Sequence, residues 1–147
     1  MAEGLFEVRA RYPKMLENGK VKNVMEGYIV SAMSFSEAEA RATEELQHLG
    51  AFSLKAVKQT KIAEIFRSDN ADESIWYLAK IAFITLDEKT ATEKKTITQI
   101  LVNADDFDAA VANIKKGMAD TVSDWEIVSV QETKIYGVFT QHDIKAD

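Results

Sequence analysis

Charged and apolar residues alternate in residues 6–12, and residues 77–83 match this segment with an apolar series at every second position, so two half-buried β-strands are predicted. In residues 6–12 the even positions are apolar or aromatic and the odd positions are charged. In residues 77–83 the odd positions Tyr77, Ala79 and Ile81 form the matching apolar series. Successive side chains of a strand point to opposite faces, so each segment presents one side to a core.

Polar connections follow both segments and predict hairpins. Residues 13–23 contain Asn18-Gly19, a pair that favours a tight reversal because both residues tolerate positive φ. Residues 87–95 form the second connection and contain no glycine. The returning strands are predicted near residues 27–32 and 98–103.

Two helices are predicted after these hairpins. Ser34 and Glu37 have the spacing of a capping box, and Asp106 occupies the equivalent position later in the chain. Gly50 is a plausible end for the first helix. Apolar residues then recur at helical spacing, at Phe35, Ala38, Ala42, Leu46 and Leu49 and again at Phe107, Ala110, Val111, Ile114 and Met118.

The chain reads as two copies of one pattern. Three pairs of segments match in the same order: 6–12 with 77–83, 30–38 with 102–110, and 52–66 with 125–139. The offsets between them are 71, 72 and 73 residues, so each step needs one extra residue in a connection. Collinear matches of this kind indicate an internal duplication.

The predicted fold class is therefore α+β, a tandem duplication of a strand, strand, helix, strand unit. We expect antiparallel sheet or sheets with one helix per repeat, within a single compact domain. Repeat 1 covers about residues 5–67, repeat 2 about 75–140, and 68–74 form a polar linker. One unit alone would leave sheet edges open, which favours pairing of the copies. The sequence leaves open whether the strands form one sheet or two.

Composition excludes most catalytic chemistry. The 147 residues include no cysteine, which rules out a disulfide scaffold, a thiolate zinc site and a cysteine nucleophile. They include only two histidines. No serine-hydrolase elbow, phosphate-binding loop or dinucleotide fingerprint occurs. The acidic run around Asp106 is interpreted as helix capping rather than a metal site. We expect no enzyme, no cofactor and no metal.

No apolar run or signal segment points to a membrane, and we expect a cytoplasmic protein. The net charge is −6, but it is unevenly distributed. Residues 34–49 carry −3, whereas residues 50–67 carry +3. An acidic helix over one face of a sheet would leave the other face comparatively basic. The candidate residues of that face are Arg9, Arg11, Lys55, Lys58, Lys61, Trp76 and Lys80.

An aromatic ring beside cations on an open sheet face is typical of single-stranded nucleic-acid binding, because rings stack on bases and cations offset phosphate charge. The leading hypothesis is a non-enzymatic nucleic-acid-associated protein of this kind. Three alternatives remain. In the first, the cations form an ordinary solvated face. In the second, the protein is an interaction or assembly module that pairs strands with itself or a partner. In the third, a small-molecule pocket lies between the copies.

The chain also resembles a family of domains of unknown function found in Bacteroidota and in their phages. The resemblance is carried by residues 6–12, 30–40, 82–89, 93–96 and 129–133. It implies no activity and transfers no functional residue, although a phage setting would suit a replication accessory protein. The repeated unit is also loosely similar to the duplicated unit of the L18a-type ribosomal protein, without the strong basicity of that protein.

Overall fold

The computed structural model describes residues 4–68 and 75–140, and these residues form a mixed α+β fold that is mostly sheet. Most of the predicted linker, residues 69–74, lies outside the described residues. None of the helices in the described ranges is long and apolar enough to cross a membrane. The elements in chain order are β1 (Gly4–Met15), β2 (Val21–Ala32), α1 (Phe35–Glu45), β3 (Ser53–Gln59), β4 (Ile62–Phe66), β5 (Ile75–Asp87), β6 (Thr92–Ala104), α2 (Phe107–Gly117), β7 (Asp124–Glu132) and β8 (Ile135–Phe139).

The chain divides into two compact units, and it passes from one to the other at residues 60–61 and 133–134. The first unit contains Met1–Thr60 and Lys134–Asp147, and the second contains Lys61–Thr133. The first unit has a four-stranded sheet in the order β3-β1-β2-β8. The sheet of the second unit has the order β4-β6-β5-β7. The strands therefore form two sheets, a point that the sequence left open.

The expectation of wholly antiparallel sheets is wrong at one edge of each sheet. β8 pairs with β2 in parallel, and β4 pairs with β6 in parallel. The other pairings are antiparallel. The matching segment 52–66 contains two strands, because the chain breaks at Thr60-Lys61 and β3 and β4 join different sheets. Alternation fixes which side chains share a face, not which strand lies alongside.

Helix α1 covers one face of the first sheet. Ser34 caps it as predicted, because its Oγ accepts a hydrogen bond from the Glu37 amide at 3.1 Å. The Glu37 carboxylate pairs with Arg41 at 2.8 Å. Ala38, Ala42 and Leu46 are fully buried and pack, in that order, against successive positions of β1 and β2. The alternating face of β1 therefore became the core, as predicted.

The second unit repeats this arrangement with α2. Asp106 caps the helix by accepting from the Ala109 amide at 2.8 Å. Ala110, Ile114 and Met118 pack on the predicted apolar face of β5 and on β6. Phe66 of β4 packs against this core, and Phe139 of β8 packs against the core of the first unit. Each phenylalanine is thus part of a core built by strands from both halves of the chain.

The hairpins are longer than the sequence predicted. β1 and β2 stay paired from Gly4–Ala32 to Met15–Val21, and β5 and β6 stay paired to Asp87–Thr92. The Asn-Gly reversal is confirmed, since Gly19 has a φ of 81° and its amide donates to Leu16. The residues near the turns are polar and have low strand propensity, so the sequence predicted shorter strands. In the structure the β1–β2 and β5–β6 pairings continue past the residues that pair with β3 and β7.

Candidate nucleic-acid interface

The predicted basic residues of the first unit come together on β1 and its neighbour β3. Arg9 and Arg11 lie on the face of β1 that points away from α1, about 7 Å apart along the strand. Lys58 pairs with Glu7 across the two strands, so it lies on that same face. The basic side chains of this region are all exposed, namely those of Arg9, Arg11, Lys55 and Lys58.

A β-bulge in β3 lies at Lys55. The register between β1 and β3 shifts between Arg9 and Ala10, so that Arg9 faces Ala56 while Ala10 faces Leu54. Lys55 is the extra residue between these pairs. A bulge redirects the side chain of the unpaired residue and increases the local twist. Regular alternation from Leu54 would place Lys55 outward and Lys58 on the core side, so the bulge is what allows both lysines to lie on the outer face.

Arg11 and Lys55 line a groove of about 350 Å³ where β3 begins and the β1–β2 hairpin continues alone. The hairpin contributes Arg11, Tyr12, Pro13 and Asn23, and the segment entering β3 contributes Ala51, Phe52, Ser53 and Lys55. The groove therefore combines two cations, the half-buried Phe52, the buried Tyr12 and the uncharged polar side chains of Asn23 and Ser53 within a single unit. We refer to it as the Arg11–Lys55 groove.

The cations of this region have little local compensation. Arg9 lies 3.9 Å from Glu7, and both side chains are partly exposed, so this contact is weak. Within residues 4–68 and 75–140, neither Arg11, Lys55 nor Lys58 has a carboxylate within ion-pair distance. Four bases against one acid leave a local charge of +3 on a protein whose net charge is −6.

The remaining predicted residues are not part of this cluster. Trp76 on β5 is only 6% exposed, and the Arg67 guanidinium lies 5.7 Å from its ring centroid. A buried indole cannot serve as an open stacking surface. Lys80 is exposed on β5 and lies opposite Gln99 and Ser129. Lys61 is exposed at the point where the chain leaves the first unit.

The sheet face opposite α1 is also less open than the sequence suggested. Ile29 on β2 and Val138 on β8 belong to that face, and they are 1% and 7% exposed. In the second unit Leu101 and Ala82 are fully buried on the corresponding face. The open part of the first sheet is thus its β1–β3 side and the protruding hairpin, rather than the whole surface.

A buried carboxylate lies next to the groove. Glu26 is 5% exposed, and its Oε1 accepts hydrogen bonds from the Tyr12 hydroxyl at 2.8 Å and the Tyr28 hydroxyl at 2.7 Å. The Lys14 ammonium lies 3.7 Å from Oε2. Tyr12 also lines the groove, so this network fixes one of its walls. The sequence analysis missed it, although a glutamate at a core-facing position of β2 was the available signal.

The network perturbs the titration of both tyrosines. Burial, followed by the hydrogen bond and the charge of Glu26, raises the pKa of Tyr12 to about 12. The same causes raise the pKa of Tyr28 further. Each phenol therefore stays protonated and donates to Glu26 throughout the physiological pH range. Such an arrangement stabilises a wall; it does not supply a group that exchanges protons near neutral pH.

Acidic or histidine clusters suited to a metal ion are absent from the portion of the chain that the structure describes. A second groove of about 330 Å³ lies in the second unit between β4 and the end of α2, and it includes Arg67 and Lys116. Both of these residues have interaction partners. The Arg11–Lys55 groove is the better candidate because its cations remain available.

Comparison with known proteins identifies one family. The model of the Domain of unknown function (DUF4494) matches residues 5–142, which is nearly the whole chain. No curated protein matches the sequence. The family description carries no activity, so the chemistry of the site has to be argued from its own geometry.

Proposed function

We propose that this chain, which belongs to the DUF4494 family of domains of unknown function, is a non-enzymatic protein that binds single-stranded nucleic acid. The observation that carries the proposal is the convergence of Arg9, Arg11, Lys55 and Lys58 on two adjacent strands. Phosphate charge attracts such a cluster even when the net charge of the protein is negative, because only charges within about 10 Å act strongly at 0.1 M salt.

The size of the salt effect follows from the number of cations. If all four neutralise phosphates of a single strand, the slope of log affinity against log salt is about −2.8. Raising the salt from about 50 to about 200 mM would then weaken binding about 50-fold. Binding that depends on base stacking alone would show a much flatter dependence.

The test uses fluorescence anisotropy with labelled DNA and RNA oligomers at several salt concentrations. Replacing Arg9, Arg11, Lys55 and Lys58 by glutamate is expected to abolish binding. A control variant with the same change of net charge carries glutamate at four exposed lysines of the second unit, Lys80, Lys89, Lys94 and Lys115. It is expected to retain most of the affinity. Absence of binding by the unmodified protein at low salt, or equal losses in both variants, would contradict the proposal.

A second function, an interaction or assembly module, is supported by exposed apolar side chains near the tip of the β1–β2 hairpin. Met15 is 72% exposed, its cross-strand partner Val21 is 63% exposed, and Met25 on the same face is 51% exposed. Pro13 lies beside them, and proline disfavours strand addition at an edge. Sedimentation of the unmodified protein distinguishes the two functions, since an oligomer that covers the basic cluster and binds no oligonucleotide supports the second.

We also propose that the two halves of the chain, about residues 5–67 and 75–140, descend from one duplicated segment. The support is a matching pair of contacts at the two crossings between units. Both the amide and the hydroxyl of Thr60 donate to the Leu5 carbonyl, at 2.9 and 2.7 Å. The same two groups of Thr133 donate to the Trp76 carbonyl, at 2.9 and 2.8 Å.

A cytoplasmic accessory role in phage or Bacteroidota replication would suit a single-strand binder of this kind.

A further inference from the structure

We infer that the Arg11–Lys55 groove holds one unstacked base of a single strand, with Phe52 as the stacking surface and the two cations on the phosphates that flank the base. This inference rests on the proposed function and specifies where and how the strand is held. It moves the aromatic contact from the buried Trp76 to Phe52, which the sequence placed only at the start of the matching segment 52–66.

Phe52 is held in place before any ligand arrives. Its ring packs against the core cluster formed by Ala10, Tyr28 and Leu46, and it also lines the groove. A side chain fixed by the core loses little rotamer freedom when a base stacks on it. Base–aromatic stacking of this kind changes affinity by about 5- to 150-fold per base.

Two charged groups line the same groove as Phe52. Arg11 pairs with Ser53, the residue that follows Phe52, and Lys55 is the bulged residue two positions further along β3. Because neither cation has an acidic partner among the described residues, a phosphate can approach either without displacing an existing ion pair. Asn23 and Ser53 add groups that hydrogen-bond either donors or acceptors, so they tolerate more than one base.

The stacking contact favours a single strand over a duplex. The Arg11–Lys55 groove is shallow and open, so it would select through contact with an unstacked base rather than by enclosing one. In a duplex each base is stacked on its neighbours, and bringing one onto Phe52 would require flipping it out of the helix. The groove is therefore expected to discriminate between single and double strands, which a basic face without an aromatic contact would not do.

The experiment compares three variants with the unmodified full chain, using single-stranded and double-stranded oligomers of equal length at several salt concentrations. Phe52→Leu keeps an apolar side chain on the core but removes the ring. It is expected to lower single-strand affinity about 5- to 150-fold with an unchanged salt slope. Phe52→Tyr keeps the ring and is expected to bind as well as the unmodified protein. Arg11→Gln with Lys55→Gln is expected to flatten the slope by about 1.4.

The outcomes separate this inference from the proposed function. If Phe52→Leu binds like the unmodified protein while the double glutamine variant binds weakly, the stacking role is overturned and the basic cluster stands. Equal affinity of the unmodified protein for single and double strands also overturns the inference. If the unmodified protein binds neither oligomer, or binds only an acidic peptide, the proposed function fails as well. Circular dichroism of Phe52→Leu and Phe52→Tyr verifies that each variant is folded.

Discussion

The buried Glu26 network is expected to contribute strongly to stability, and removing its carboxylate tests this directly. Glu26→Ala would leave the Tyr12 and Tyr28 hydroxyls without the acceptor that both now use. A buried polar group without a partner costs about 1–3 kcal/mol. Two such groups give an expected loss of about 2–5 kcal/mol in the free energy of unfolding, because water can replace part of the lost bonding.

Glu26→Gln separates the charge from the hydrogen bonds. The amide oxygen can still accept from a tyrosine hydroxyl, but hydrogen bonds to an ionised acceptor are roughly twice as strong as neutral ones. We therefore expect a loss of about 1–2 kcal/mol for this variant. The contact with Lys14 adds little, since the lysine side chain is 52% exposed and lies 3.7 Å away.

The assay is urea unfolding at neutral pH, with the free energy extrapolated linearly to zero denaturant. Hydrogen exchange at β1 and β2 shows whether the loss is local to the first unit. Glu64→Ala serves as the control, because Glu64 is exposed on β4 and its removal should change stability by less than about 0.5 kcal/mol. If Glu26→Ala unfolds within that same margin of the unmodified protein, the two hydrogen bonds do not have the assigned role.

Two further predictions concern the same cores. Because the pKa of Tyr12 is raised, folding favours the protonated phenol. The contribution of this phenol to the free energy of unfolding is complete below about pH 10, the ordinary tyrosine pKa, and is lost as pH rises toward about 12. Unfolding measured across that interval should show the loss, and Tyr12→Phe should reduce it; an unchanged profile would contradict the assignment. Gly117→Ala should destabilise the protein by roughly 1–3 kcal/mol, although alanine favours helices, because an added Cβ would lie 2.6 Å from the Phe66 ring. Combining it with Phe66→Leu should recover part of the loss in thermal unfolding, and a stabilised Gly117→Ala would refute the steric argument.

Some parts of the candidate site could be read from sequence and others could not. The exposed face of β1, with Arg9 and Arg11, followed directly from alternation along the strand. The shared face of Lys55 and Lys58, which are three residues apart, required the bulge, and the bulge is a property of the pairing between β1 and β3. Phe52 looked like an ordinary strand residue because its two roles, on the core and in the groove, depend on where β3 begins relative to the hairpin.

For Trp76 the sequence pattern predicted the face of the sheet but not the exposure of the side chain. Its position on β5 correctly placed it on the face away from the helix, next in the alternation to Tyr77. Alternation cannot tell whether such a face is exposed, because exposure depends on what else packs there. The structure leaves the indole 6% exposed, and the aromatic contact proposed for a base therefore falls to another residue.

The sequence by itself determined the local features of this protein: the alternating strands, the Asn-Gly turn, the caps at Ser34 and Asp106, and the core faces of both helices. These depend on contacts within a few residues, where the chemistry of each side chain acts directly on the nearby backbone. Tertiary structure alone decided that β4 joins the sheet built mainly by the second half of the chain and β8 the sheet built mainly by the first half. Parallel edge pairing joins strands that are far apart in the chain, and no local pattern specifies that partner.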